Sequence, residues 1–242
     1  KYMKMNKAHR KVDYLWDAAY YNHKYYSYFG ALPAVLLMVP YYLITNKLML
    51  TSIATLIFSL VSVPMLVLLV KKVFQKYFKE LQFKFLALST LIMIFGTTLI
   101  WINVAPRFYE LVTVACFFFV ITGFTLVFDS EREDRKISYL KLFFGSLSLA
   151  LSVACRPTGV FASLLIVPIL WKYLKKAIDR AEVNQEQEDV KNGKWKNILK
   201  LFICIAIPYT IVAAILMRYN YVRFGNVFEF GEKYQLTINN MQ

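Results

Sequence analysis

LMLTSIATLIFSLVSVPMLVLLV, residues 48–70, carries no charged side chain in 23 positions. As a helix rising 1.5 Å per residue it would reach about 35 Å, enough to cross a hydrocarbon core of about 30 Å. A helix at a protein–water surface shows polar residues at the 3.6-residue period, and a strand of a membrane barrel alternates apolar and polar positions. This stretch does neither. Backbone groups in lipid must bond within their own segment, so the block reads as a transmembrane helix.

Five further blocks follow the same pattern. Residues 85–106 are uncharged, and so are residues 111–128, between Glu110 and Asp129. Residues 137–155 contain only Lys141, one turn inside the end, where its stem can carry the ammonium to the surface. Residues 157–174 have Lys172 near their end and are interrupted by Pro157 and Pro168, and residues 201–217 can extend back to Ile198. The whole chain is 58% hydrophobic and 18% charged, against about 25% charged in soluble domains. There is too little polar surface to cover such a core in water. The expected fold is all-α, a polytopic transmembrane bundle of about six spans with an interfacial segment on the outer face. The expected organisation is one partial transmembrane domain over residues 1–242. It comprises an outer loop with the interfacial segment (1–47), six helices (48–217) and the start of an outer loop (218–242).

Lysine and arginine give the orientation. Residues 71–84, 129–141 and 172–200 hold 17 of them, whereas the opposing stretches after residue 30 hold 6. The positive-inside rule makes the first set cytoplasmic. Six more lie in the first 30 residues, which are placed outside as a longer translocated loop. The net charge of +14 therefore reads as a topology signal and as contact with anionic headgroups, not as a nucleic-acid surface. Residues 178–196, rich in Glu, Gln, Asp, Lys and Asn, read as a solvated cytoplasmic loop.

Residues 31–45 leave two readings open. The block is only 15 residues long, holds Pro33 and Pro40, and contains Tyr41 and Tyr42. It either spans the membrane or lies on its outer leaflet with the tyrosines at headgroup depth. The three cysteines, Cys116, Cys155 and Cys204, offer no pairing framework. The chain opens abruptly on a charged segment and stops within a loop, so a further span is expected upstream.

Chemistry falls to polar residues at the outer ends of the spans: the carboxylates Asp13, Asp17, Glu110, Glu229 and Glu232, and the bases Lys24, Arg107, Arg156, Arg218 and Arg223. His9 and His23 do not suggest a metal site, and no phosphate-binding loop, nucleophile elbow or metalloprotease motif is present. Two turns concentrate the candidates: Asn103-Val-Ala-Pro-Arg-Phe-Tyr-Glu110 and Cys155-Arg-Pro-Thr-Gly159. Their plain reading is a helix cap at Glu110 and a headgroup contact at Arg156. Their functional reading is bidentate arginine contact to a phosphate, with a carboxylate able to take a proton from an attacking hydroxyl.

Four stretches carry a family resemblance. Tyr20-Tyr-Asn-His-Lys-Tyr-Tyr-Ser-Tyr-Phe-Gly30 resembles the end of the first outer loop of bacterial C-type glycosyltransferases, the mannosyltransferase-like membrane superfamily. Arg107-Phe-Tyr-Glu110, Arg156-Pro-Thr-Gly159 and the stretch from Tyr219 to Gln235 resemble later outer segments of the same proteins. The resemblance implies transfer of a sugar from a polyprenyl-phosphate donor to a glycan, lipid or protein acceptor outside the cytoplasm, in a bacterial plasma membrane. Glu110 matches the superfamily's second acidic position. The principal base would end a first helix that precedes residue 1, so the chain alone is expected to be inactive. Arg107, Arg156 and Lys24 are the candidates for the lipid phosphate, and Tyr25, Tyr26 and Tyr28 either stack on sugar or form a headgroup belt. The sequence assigns no cofactor; a divalent metal is compatible with it but not required. The alternatives are a polysaccharide polymerase-like or other lipid-linked glycan protein, or a transporter. The near absence of ionisable residues at span centres counts against ion-coupled transport.

Overall fold

The computed structural model describes residues 18–27, 29–78, 83–130, 137–164, 166–168, 171, 174–175 and 188–235, with side chains throughout except in 188–197. Its helices are α1 (Val39–Thr45), α2 (Thr51–Tyr77), α3 (Phe83–Gly96), α4 (Leu99–Ile102), α5 (Phe108–Phe128), α6 (Tyr139–Cys155), α7 (Val160–Leu164) and α8 (Glu188–Phe224). Two strands, β1 (Ala18–Tyr21) and β2 (Lys24–Ser27), precede them. The fold is the expected helical bundle, with a two-stranded hairpin that an all-α reading did not include. Among the described residues three helical segments are long and apolar enough to cross a membrane: α2, α5 and residues Ile198–Phe224 of α8. By helix length and composition, this is a membrane protein.

The chain forms two compact units, Ala31–Ala213 and Lys1–Gly30 with Ala214–Gln242. In the first, α5 packs between α2 and α6. The buried stripe of α2 is Ala54, Phe58, Ser62, Leu66 and Val70, one residue every four, with Thr55 and Ser59 beside it. Leu56, Leu60, Val67 and Leu68 point outward, where lipid is the suitable solvent. Two of the buried hydroxyls of α2 bond their own backbone, Thr55 to Thr51 O and Ser62 to Phe58 O, which removes a polar cost in lipid.

Between α5 and α6 the backbones come close because two glycines face the interface. A Cβ on Gly145 would lie 2.7 Å from Val127 Cγ2 and 3.1 Å from Gly123 O, and one on Gly123 would lie 2.4 Å from Leu149 Cγ. Ser148 Oγ donates across this seam to Phe119 O at 2.9 Å. Small residues and an interhelical hydrogen bond are the usual means of joining helices where lipid removes the hydrophobic drive. A cluster of Val127, Leu142, Leu149, Ile166 and Leu201 extends this packing to α8.

The other expected spans are shorter as single helices. The block 85–106 divides into α3, of 14 residues, and the one-turn α4, of 4. The break follows Gly96, a poor helix former, where the Thr97 hydroxyl donates to Ile94 O. α6 has 17 residues and ends at the Arg156-Pro157 step. Residues 188–196, read as loop, are instead the first turns of α8. Their polar composition marks solvation, and Glu and Lys are good helix formers.

The block 31–45 is helical over Ala34–Thr45, 12 residues and about 18 Å, well short of a hydrocarbon core. Its first part, Ala34–Met38, is a π-helical turn in which Val39 N–H donates to Ala34 O. Pro40 follows, which lacks an N–H and whose ring clashes with the carbonyl four residues back, so a widened turn relieves the crowding. Asn46, in the left-handed region at φ 52°, ends α1.

In the second unit the hairpin pairs Ala18 with Ser27 and Tyr21 with Lys24. Its two-residue turn, Asn22-His23, has φ of 48° and 61°, the geometry that matches strand twist. Ala19, Tyr21, Lys24 and Tyr26 share one face. Tyr21 and Tyr26 pack edge-on against Phe224, which stacks on Tyr234 with ring centroids 5.6 Å apart.

Candidate functional site

The first turn of α5 gathers three of the sequence candidates within the larger unit. Pro106 leaves the chain extended, Arg107 takes the N-cap position, and Glu110 sits at the third helical residue. Glu110 Oε2 accepts from the Arg107 backbone N–H at 3.0 Å. Only this half of a capping box forms, because a guanidinium has no acceptor to offer in return. Glu110 is thus a cap in geometry, with Oε1 uncommitted among the described residues.

Arg156 reaches this turn from α6. It is extended, at φ −143° and ψ 129°, and the tight turn Pro157–Gly159 after it folds back on α6. At Gly159 a Cβ would stand 2.8 Å from the Ser152 carbonyl, so only glycine fits. Arg156 Nη1 donates to Thr113 Oγ1 at 2.6 Å and Nη2 to Tyr109 Oη at 3.2 Å. The guanidinium also lies 4.6 Å from the Tyr109 ring centroid. Tyr109 and Thr113 stand four residues apart on one face of α5, and Glu110 is on the adjoining stripe. These partners of Arg156 are neutral, so its charge is oriented but not cancelled by any carboxylate among the described residues.

Lys24, Tyr25 and Tyr26 belong to the hairpin of the other unit. Tyr26 gives its ring to the packing on Phe224, and Lys24 is exposed at the turn. Tyr25 lies on the opposite face, its ring 5.0 Å from that of Tyr20, with both 40–50% exposed (46% and 41%). Tyr28 lies outside the described residues, as do Asp13, Asp17 and His9.

Sequence reasoning missed Tyr109 and Thr113 as the seat of Arg156, although their i, i+4 spacing beside an arginine-bearing turn was visible. It named Arg223 among the outer basic residues but gave it no role. There the guanidinium donates to Ser27 O at 2.7 Å and to Asn220 Oδ1 at 2.8 Å, and lies 3.8 Å from the Tyr219 ring centroid. It fastens the hairpin to the end of α8. Among the described residues no group of three His, Cys, Asp or Glu side chains is placed to hold a metal ion. No family model, curated protein or solved structure matches the chain.

Proposed function

We propose that the protein is a membrane glycosyltransferase of about six spans that moves a sugar from a polyprenyl-phosphate donor to an acceptor on the extracytoplasmic side. The observation that carries the reading is Arg156. A half-buried guanidinium, fixed by Thr113 and Tyr109 and without a carboxylate partner among the described residues, suits the phosphate of a lipid-linked donor. The acceptor hydroxyl oxygen attacks the anomeric carbon as the bond from that carbon to the phosphate oxygen breaks. The hydroxyl proton passes to a carboxylate, and the electron pair leaves with the polyprenyl phosphate, whose charge Arg156 and Arg107 stabilise. Glu110, on the same turn, is the acid able to hold the acceptor hydroxyl. The 17-to-6 division of Lys and Arg supports an outward-facing site and a cytoplasmic stretch around residues 185–189. Residues 31–45 then lie on the outer leaflet, consistent with a helix too short to cross.

The test is transfer from a polyprenyl-phosphate sugar in membranes carrying the full-length protein. Glu110→Gln and Arg156→Gln should insert normally and lose about 10²–10³ in rate, the usual cost of one contact to developing charge. Arg156→Lys should recover part of the activity, keeping the charge but not the planar fork. Arg132→Gln, between α5 and α6, should stay near normal. Unchanged transfer by well-inserted Glu110→Gln and Arg156→Gln would return both residues to capping and headgroup contact.

A further inference from the structure

α2, α5 and α6 converge on three charged side chains. Lys72 Nζ, near the end of α2, donates to Asp129 Oδ1 at 2.5 Å, and Lys141 Nζ, in the first turn of α6, donates to Oδ2 at 2.6 Å. Asp129 directly follows α5. Burial by itself raises its carboxyl, but the hydrogen bonds from Lys141 and Lys72 outweigh burial and hold it below the ordinary value. Asp129 is therefore a carboxylate at neutral pH.

Among the described residues the charges do not balance. One carboxylate neutralises one ammonium and leaves a unit of positive charge on the pair. Each ammonium has three N–H donors and, among the described residues, uses one on Asp129, so donors remain for a further acceptor. Lys71, exposed beside Lys72, adds to the field. The cluster stands where two charge-free runs stop, residues 48–70 before Lys71 and residues 111–128 before Asp129. For helices that cross a bilayer, that is the depth of the headgroup phosphates.

We propose that Lys72 and Lys141, bridged by Asp129, form a site for the phosphodiester of an anionic phospholipid. A phosphodiester supplies one negative charge and two acceptor oxygens, which matches the residual charge and the spare donors. A zwitterionic headgroup would bring its own ammonium against two others, so an anionic glycerol headgroup is preferred. The inference does not depend on the proposed transfer activity or on which side of the membrane this end faces.

The experiment is native mass spectrometry of the full chain released from micelles of mixed phosphatidylglycerol and phosphatidylcholine, counting bound lipids. The unaltered protein should retain phosphatidylglycerol in preference. Lys72→Gln and Lys141→Gln should each lower that retention about fivefold, the effect of about one basic residue at an anionic surface. Asp129→Asn, which removes the competing carboxylate, should raise it. Lys47→Gln, before the opposite end of α2, should change nothing. If the Asp129 variant loses its helicity, the unaltered protein decides. Raising salt from about 0.1 M to about 1 M shortens the screening length from about 10 Å to about 3 Å and should strip phosphatidylglycerol. Undiminished retention by both Lys72→Gln and Lys141→Gln, or retention indifferent to salt, overturns the site. Displacement of the lipid by inorganic phosphate overturns the lipid assignment in favour of a soluble anion.

Discussion

At neutral pH Asp129 binds two ammoniums, one 57 residues before it and one 12 residues after it in the chain. Its carboxyl is held below the ordinary 3.8, so the folded state binds that proton less readily than the unfolded chain does. The stabilisation is complete above the ordinary value and is lost as pH falls through the lower folded value. The side chain is 30% exposed, which places each pair between exposed pairs of about 0–1 kcal/mol and buried ones of about 3–5 kcal/mol. Asp129→Asn should therefore cost about 1–2 kcal/mol at neutral pH, and the deficit should shrink as the buffer is taken below 3.8. Thermal unfolding of both forms across that range checks it; a deficit independent of pH would mean that the charge contributes nothing. The other candidate residues were legible to different depths. Arg156 and Glu110 stood out because few polar groups interrupt the apolar runs. Their partners did not, since a tyrosine and a threonine look the same in sequence whether they face lipid or a guanidinium. Tyr25 and Tyr26 were indistinguishable for the same reason, as neighbours in a strand point to opposite faces.

Among the elements, the α5–α6 seam rests on two glycines and is correspondingly intolerant. A Cβ at Gly145 would meet the Val127 nitrogen at 3.0 Å and the Gly123 oxygen at 3.1 Å, and backbone cannot step aside as a side-chain tip can. Gly145→Ala should destabilise by about 1–3 kcal/mol, the usual cost of overpacking. Gly96→Ala, at the end of α3 with nothing within 4 Å of the new carbon, should be neutral or gain up to about 1 kcal/mol. Unfolding midpoints in one detergent compare the two; equal effects would mean that the helices can separate without loss. The long helices were readable because lipid forbids charge over some twenty residues, a demand plain in α2 and α5. Where α3 breaks was not, because a single glycine and a threonine hydroxyl are weak local signals. The hairpin was also hidden: its strands have four residues each, and its turn is Asn-His, without the glycine that usually marks such a bend.

For the molecule as a whole, the proposed orientation is testable without any substrate. With the native cysteines replaced, a cysteine at Asn103 should react with an impermeant reagent in intact cells, and one at Gln187 should react only after permeabilisation. The reverse pattern would invert the topology and remove the site from the outer face. The distribution of Lys and Arg made this reading available from sequence, since it needs no tertiary information. How α5 comes to lie between α2 and α6 was not available, because that depends on matched small residues scattered over three helices. The bond between Lys72 and Asp129 carries one more consequence, for biogenesis. A nascent chain emerges from its N-terminus, so α2 enters the bilayer with Lys72 still lacking its acid, and the pair closes only after α5 has followed. Lys141 then arrives on α6 and takes the second oxygen of the same carboxylate. The order in which the helices are made is thus the order in which one aspartate locks them together.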